Sequence, residues 1–219
     1  MFGLFKKNKK RKTWPITDWE MCIMYSALNL LPAEFEYLKQ QLEYPLFTVA
    51  STGYSTNDPD YISFSFDPHI YKNFENRRMQ DYMIRNIKVS NIDKRKFDYT
   101  IWVVAGVICG YSLKGFDQSV IDLNSVDVRS YAKVYLENDD FDKLATLLNA
   151  DDIKEINPSE VYEVVLSGNT YYHIKDLENG DFIGIGTDKV IYTITHDPFE
   201  IVPLNKSLKD VFNDDKFNQ

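Results

Sequence analysis

The sequence predicts an α+β fold: a mainly antiparallel, twisted sheet flanked by helices, with helices at the N-terminal end and a short C-terminal helix. Three observations predict it. Gly168–Asp197 reads as three short strands joined by tight polar turns. Ile62-Ser-Phe-Ser-Phe66 alternates strictly, which is the period of a half-buried strand. From Thr17 to Glu43 the apolar residues instead recur at helical spacing.

In chain order, residues 1–13 form a basic tail ahead of the fold. Thr17 or Asp18 can cap a first helix, with Trp19, Ile23, Ala27 and Leu30 recurring along it. Pro32 interrupts, as proline does in the first turn of a new helix, and Ala33–Glu43 resumes with Phe35, Leu38 and Leu42 on one face. Pro45–Ser51 and Tyr61–Phe66 read as strands around a polar loop, with Ile62, Phe64 and Phe66 facing the core. Asp67-Pro68 closes the second of these, and Ile70–Tyr82 is predicted to be helical.

Met83–Val89, Tyr99–Val104 and Val107–Leu113 read as further strands. The run Ile101–Cys109 is apolar on both faces, as a central strand would be. Ser125–Leu148 carries helical spacing, and Asn157-Pro158 opens a helix or turn leading into Val161–Leu166. In the meander, Tyr172 and Ile174 share one face of Tyr171–Lys175, and Asn179-Gly180 supplies the positive-φ residues of a hairpin. Asp181–Ile185 and Val190–Thr195 follow, with Val190, Tyr192 and Ile194 on one face, until His196-Asp197-Pro198 ends the ladder. Ser207 with Asp210 three residues on is a capping-box pattern, so Ser207–Phe212 is a short helix. The chain reads as one domain over 14–219, with a weak division near 150–158.

A hydrophobic content of 44% and an aromatic content of 15% exclude a disordered body. The net charge of −8 conceals an asymmetry: residues 1–12 hold Lys6, Lys7, Lys9, Lys10, Arg11 and Lys12 and no acid. Residues 13–219 hold 19 basic against 33 acidic residues, which argues against nucleic acid as partner of the folded body. Such a surplus suits a basic protein partner; it also serves solubility alone. The basic run is either a solvated tail or a patch attracted to anionic lipid, at about 1 kcal/mol per charge. Phe2 rules out N-myristoylation. No apolar stretch approaches the ~18 residues of a membrane span, and no secretory h-region follows the basic run, so a cytoplasmic protein is expected.

Cys22 and Cys109 sit in apolar sequence, where buried thiols are found, and two cysteines do not define a secreted scaffold. His69, His173 and His196 lack ligand spacing and read as surface or satisfied core residues. Gly184-Ile-Gly186 lacks the later glycine and lysine of a phosphate cradle, so it reads as hairpin. Asp139, Asp140 and Asp142 lack the central glycine and closing glutamate of a calcium loop and read as a solvated helix start, extended by Asp151 and Asp152. No catalytic residue, metal site or cofactor is assigned. An enzyme would need a deep pocket joining His173 or His196 to carboxylates.

The order of features in the last 45 residues resembles the C-terminal part of SUKH-superfamily domains. The residues are Tyr172-His-Ile174, Asn179–Ile185, Lys189–Tyr192, His196-Asp197 and Ser207–Phe212, with Leu31-Pro-Ala-Glu-Phe35 similar to the family's Leu-Pro step after its first helix. That superfamily is named for yeast cell-wall assembly regulators and bacterial toxin-immunity proteins. The resemblance implies a non-enzymatic protein-binding domain, an immunity protein that neutralises a cognate toxin. A basic toxin would meet Asp139, Asp140, Asp142, Asp151 and Asp152. The alternative is a regulatory or scaffold module, held at a membrane surface through residues 1–12.

Overall fold

Residues 12–52, 58–77, 79–115 and 120–213 are described by the computed structural model. They divide into two units, one comprising Met1–Asn76 with Asp81–Tyr135, the other Arg77–Gln80 with Leu136–Gln219. The sequence reads as one domain over 14–219 with a weak division near 150–158; the chain passes between the two units at Asn76–Arg77, Gln80–Asp81 and Tyr135–Leu136. Each unit has its own antiparallel sheet, as the α+β reading requires.

The first unit runs β1 (Thr13–Pro15), α1 (Asp18–Leu30), a 3-10 turn (Ala33–Phe35), α2 (Glu36–Leu42), β2 (Phe47–Ser51), β3 (Tyr61–Phe66) and α3 (Pro68–Tyr71). It continues with β4 (Tyr82–Asn91), β5 (Lys96–Val104), β6 (Val107–Lys114), β7 (Ile121–Asp127) and β8 (Ala132–Tyr135). The sheet order is β1-β2-β3-β6-β5-β4-β7, with β8 also pairing β4. The apolar run Ile101–Cys109 is central, but it is two strands, turned at Ala105 and Gly106, whose φ values of 46° and 75° make a tight hairpin. Gln41 of α2 clamps that turn: its Nε2 donates to Gly106 O at 2.8 Å and its Oε1 accepts from Ile108 N at 2.9 Å.

The helical stripe of α1 differs from the expected one. Ile23, Met24, Ala27 and Leu28 are buried, whereas Leu30 is 56% exposed and Leu31 turns inward after the helix. Pro32 caps the 3-10 turn rather than entering α2. On β3, Phe64 is buried while Ile62 and Phe66 are half-buried.

Two expected helices are corrected. Ile70–Tyr82 is helical only to Tyr71, although Asp67 does cap α3 by accepting from His69 N and Ile70 N. Beyond it, Asn76 N donates to Ala105 O, and Ala105 N donates to Asp81, so both residues are bonded to the β5–β6 turn. Ser125–Leu148 is strand, turn, strand and short helix. Ser125 Oγ accepts from Ser90 N and donates to Ser90 O on β4, and β8 pairs with β4 through Val134 and Met83. Pairing across the sheet outcompetes local helical spacing.

The second unit runs α4 (Asp139–Ala145), α5 (Ala150–Glu155), a 3-10 turn (Pro158–Glu160), β9 (Tyr162–Leu166), β10 (Asn169–Asp176), β11 (Phe182–Gly186), β12 (Ile191–His196), β13 (Phe199–Leu204) and α6 (Leu208–Asn213). The strands lie in sequence order, so the predicted three-strand meander is the centre of a five-strand one. Asn179 and Gly180 both have positive φ, and Ser207 and Asp210 form the predicted reciprocal cap.

The meander is buried on both faces rather than one. Tyr172, Ile174, Ile183, Ile185 and Ile191 pack with Leu144 of α4 and Leu208 and Val211 of α6. Tyr171, Phe182 and Ile194 form a second cluster on the other face, joined by Val164, Tyr192 and Ile201. Val190 precedes β12 and is exposed, so only Tyr192 and Ile194 of the predicted trio share that face.

Candidate functional site

Charge divides unequally along the chain. Residues 136–219 carry 18 acidic and 7 basic residues, whereas residues 13–135 carry 15 and 12. The acid surplus therefore belongs to the second unit, where the five singled-out aspartates open two short helices.

Asn138 and Asn149 set those helix starts. Asn138 Oδ1 accepts from Asp140 N and Phe141 N at 3.0 Å, and its Nδ2 donates to Pro158 O and Val161 O. Asn149 Oδ1 accepts from Asp151 N at 3.0 Å and Asp152 N at 2.9 Å. With asparagine capping, the aspartates occupy first-turn positions, where unpaired N–H groups favour negative charge. Leu144, buried, and Phe141, half-buried, hold α4 to the sheet, which turns Asp139 and Asp142 outward.

The five are not equivalent. Asp139 and Asp142 are exposed, and neither carboxylate has a hydrogen-bonding or ionic partner among the described residues. Asp151 is exposed and pairs with Lys154 at 2.9 Å, a contact that contributes little so near water. Asp152 accepts from Asn149 Nδ2 at 2.6 Å and is partly committed to the cap.

Asp140 has a structural task. Its Oδ2 accepts from the outward-facing Glu163 N of edge strand β9 at 3.0 Å, while Lys143 bridges its Oδ1 and Glu163 Oε2. An open strand edge is a hazard, and this contact closes part of one. The Lys143 ammonium, followed by the Glu163 N–H, holds the Asp140 carboxyl below its usual range. Asp140→Ala is expected to cost about 1 kcal/mol, mainly through the unpaired N–H. Because the folded pKa is lowered, this contribution is complete above about pH 4 and is lost as acid titrates the carboxylate. The Tm gap between wild type and variant, measured by circular dichroism, should be about 5 °C at pH 7 and narrow as the pH falls below about 4.

The basic candidates Lys6, Lys7, Lys9, Lys10 and Arg11 lie outside the described residues. Lys12 is exposed, and its carbonyl accepts from Thr52 N at 2.9 Å, continuing the β1–β2 ladder.

The histidines divide as surface and core. His69 is exposed on α3. His173 is 1% exposed, with Nδ1 2.8 Å from Glu160 O and Nε2 3.0 Å from Asp176 Oδ1. It belongs to an aromatic row across four strands: Tyr162 stacks on it at 4.3 Å, Phe182 lies 5.3 Å beyond, and His196 lies 6.4 Å from Phe182. His196 pairs with Asp181 rather than with its neighbour Asp197. Both rings thus meet carboxylates, and among the described residues no side-chain hydroxyl or thiol bonds to either. Tyr162 does not stand out in the sequence. Ser167-Gly168, both at positive φ, fix a two-residue hairpin whose register places Tyr162 opposite His173, and that dipeptide was the available signal.

The two thiols correct the expectation of a buried pair. Cys22 is exposed, on the outer side of α1. Burial pushes the Cys109 thiol up to about 11, against a smaller opposing effect of the Tyr61 hydroxyl, which lies 3.4 Å from its sulfur. At pH 8 Cys109 is therefore almost wholly protonated, and iodoacetamide should label Cys22 at least about 10²-fold faster. Peptide mapping against time checks the order. Among the described residues no group of three or more His, Cys, Asp or Glu is placed to hold a metal, and no helix is long and apolar enough to cross a membrane.

By fold and site this is an α+β protein with one antiparallel sheet in each unit and, in the second, exposed aspartates in the first turns of two short helices. No family model, curated protein or solved structure matches the chain.

Proposed function

We propose that the chain is a non-enzymatic, cytoplasmic protein-binding domain of SUKH type, an immunity protein that neutralises a cognate basic toxin. The observation that carries this reading is the exposed carboxylate set Asp139, Asp142 and Asp151, in a segment where acidic residues outnumber basic ones 18 to 7. Asp152 lies at the edge of that set, and Asp140 supports it from within. Opposite charge steers association and loses strength with salt.

Co-expression with the product of the neighbouring gene, followed by co-purification and a growth-rescue assay, tests the reading. Complex formation and rescue are expected. The triple change Asp139→Ala, Asp142→Ala, Asp151→Ala should then weaken binding about tenfold, at roughly 0.5 kcal/mol per exposed charge. Unchanged affinity in the triple variant would show that the contact lies elsewhere.

The six basic residues of positions 6–12 favour a second reading, a regulatory or scaffold module at an anionic membrane surface. Deleting residues 1–12 should then abolish sedimentation with phosphatidylserine liposomes, and unaltered sedimentation rejects it.

A further inference from the structure

Lys133 stands on β8, the four-residue strand paired with the start of β4. Its ammonium lies 4.6 Å from the ring centre of Tyr82, 5.4 Å from that of Tyr135 and 5.6 Å from that of Phe35. All three fall within the ~6 Å over which the face of an aromatic ring attracts a cation. The walls are tilted to one another, Phe35 and Tyr82 by 48° and Tyr82 and Tyr135 by 69°, so they surround the nitrogen instead of stacking together. Glu34 lies at the mouth, its Oε2 accepting from Lys133 Nζ at 3.2 Å.

Two walls are fixed, because Phe35 and Tyr82 have no exposure and the Tyr82 hydroxyl is bonded to that of Tyr37. The third wall and the occupant face solvent: Tyr135 is 50% exposed and the Lys133 side chain 28%. Burial alone would lower the lysine's pKa, but Glu34 and Tyr135 outweigh it and keep the occupant charged. An ion pair with Glu34 would suffice to tie β8 to the 33–35 turn. Three ring faces around the same nitrogen add the chemistry that recognises soft, weakly hydrated ammonium groups.

We propose that Phe35, Tyr82 and Tyr135, with Glu34 at the mouth, form a binding site for a trimethylammonium group, kept shut by the chain's own Lys133. A trimethylammonium sheds its water more readily than a primary ammonium and presents methyl groups to all three rings. Lys133 holds the site because it is tethered, which gives it a high effective concentration. The site lies in the first unit and is independent of the acidic surface of the second.

In the wild-type protein, ring currents from the three faces should shift the Lys133 ε-methylene resonances upfield. Titration with tetramethylammonium chloride should return them towards the ordinary lysine value, saturably and in the millimolar range, while sodium chloride at equal ionic strength should not. Lys133→Ala should bind tetramethylammonium about tenfold more tightly than wild type, and adding Tyr135→Ala should remove that gain. Choline and a trimethyllysine peptide, compared as competitors, distinguish a small-molecule from a protein source of the group. The absence of any saturable shift in the wild-type titration, with or without a fall in the Tm of Lys133→Ala, overturns the proposal and leaves Lys133 as a clip between strand and turn.

Discussion

Replacing Gly110 with alanine should lower the apparent Tm by roughly 10 °C, corresponding to a loss of about 3 kcal/mol. Gly110 lies on β6, opposite Ser63 of β3, in an ordinary extended conformation, so backbone freedom is not the reason for glycine. The reason is space. A methyl group there would lie 2.9 Å from Tyr61 Cε2 and 3.0 Å from Ser63 Cα, and closer still to the carbonyl oxygen of Ile62. Two of these three neighbours are backbone and cannot rotate away. Relief requires β3 to move off β6, which opens the ladder joining β1, β2 and β3 to the rest of the sheet. Tyr61 would move with it, losing its edge contact with Trp102 at 5.2 Å and its bond to Cys109 O at 3.2 Å. Thermal melts followed by circular dichroism measure the effect. A shift under about 2 °C would mean that β3 and β6 do not approach this closely.

Glu20→Ala should be at least as damaging, at about 3–4 kcal/mol. Glu20 is a fully buried carboxylate. Its Oε2 accepts from Thr17 N at 2.8 Å and Thr17 Oγ at 2.6 Å, and its Oε1 accepts from the Tyr111 hydroxyl at 2.7 Å and Trp14 Nε1 at 3.3 Å. One side chain thus closes the N-terminal cap of α1, anchors β1 and ties the helix to β6. Truncation leaves the buried Tyr111 hydroxyl without its acceptor, which costs about 1–3 kcal/mol, and removes the cap from Thr17 and the partner of the half-buried Trp14. Burial, and then the Glu20 charge, push the Tyr111 phenol far above its usual range, so it remains a donor at any working pH. Glu20→Gln keeps one acceptor oxygen and should recover part of the loss. A double-mutant cycle with Tyr111→Phe should give a coupling above about 0.5 kcal/mol. Strictly additive costs would show that the two side chains do not act together.

Neither residue stands out in the sequence. Glu20 looks like an ordinary acid in a first helical turn, and its partner Tyr111 is 91 positions away. Gly110 follows an apolar run and resembles a strand glycine of no particular consequence. The aspartates were legible in part: Asp139, Asp140 and Asp142 read as a solvated helix start, whereas the caps Asn138 and Asn149 that set both helix starts emerge only in the structure. The role of Asp140 as a cover for β9 was not legible, because its partner N–H is 23 residues further on.

By itself, the sequence determined what depends on neighbours along the chain. The Asn179-Gly180 hairpin, the Ser207–Asp210 cap, the alternation on β3 and the acidic surplus are local or additive, and each can be read within a few residues. Tertiary structure decided what depends on partners across the fold. Ser125–Leu148 had helical spacing, but β4 offered Ser125 and Val134 an edge to pair with, and a sheet partner outweighs a weak local preference. The meander looked half-buried, but Leu144, Leu208 and Val211 cover one face from helices that precede and follow it in sequence, and Tyr171, Phe182 and Ile194 are buried on the other among side chains of neighbouring strands. Three rings drawn from the 33–35 turn, β4 and β8 meet around Lys133 only because β8 pairs with β4. Burial and close approach are properties of surfaces that meet, and a one-dimensional pattern contains only one of the two surfaces.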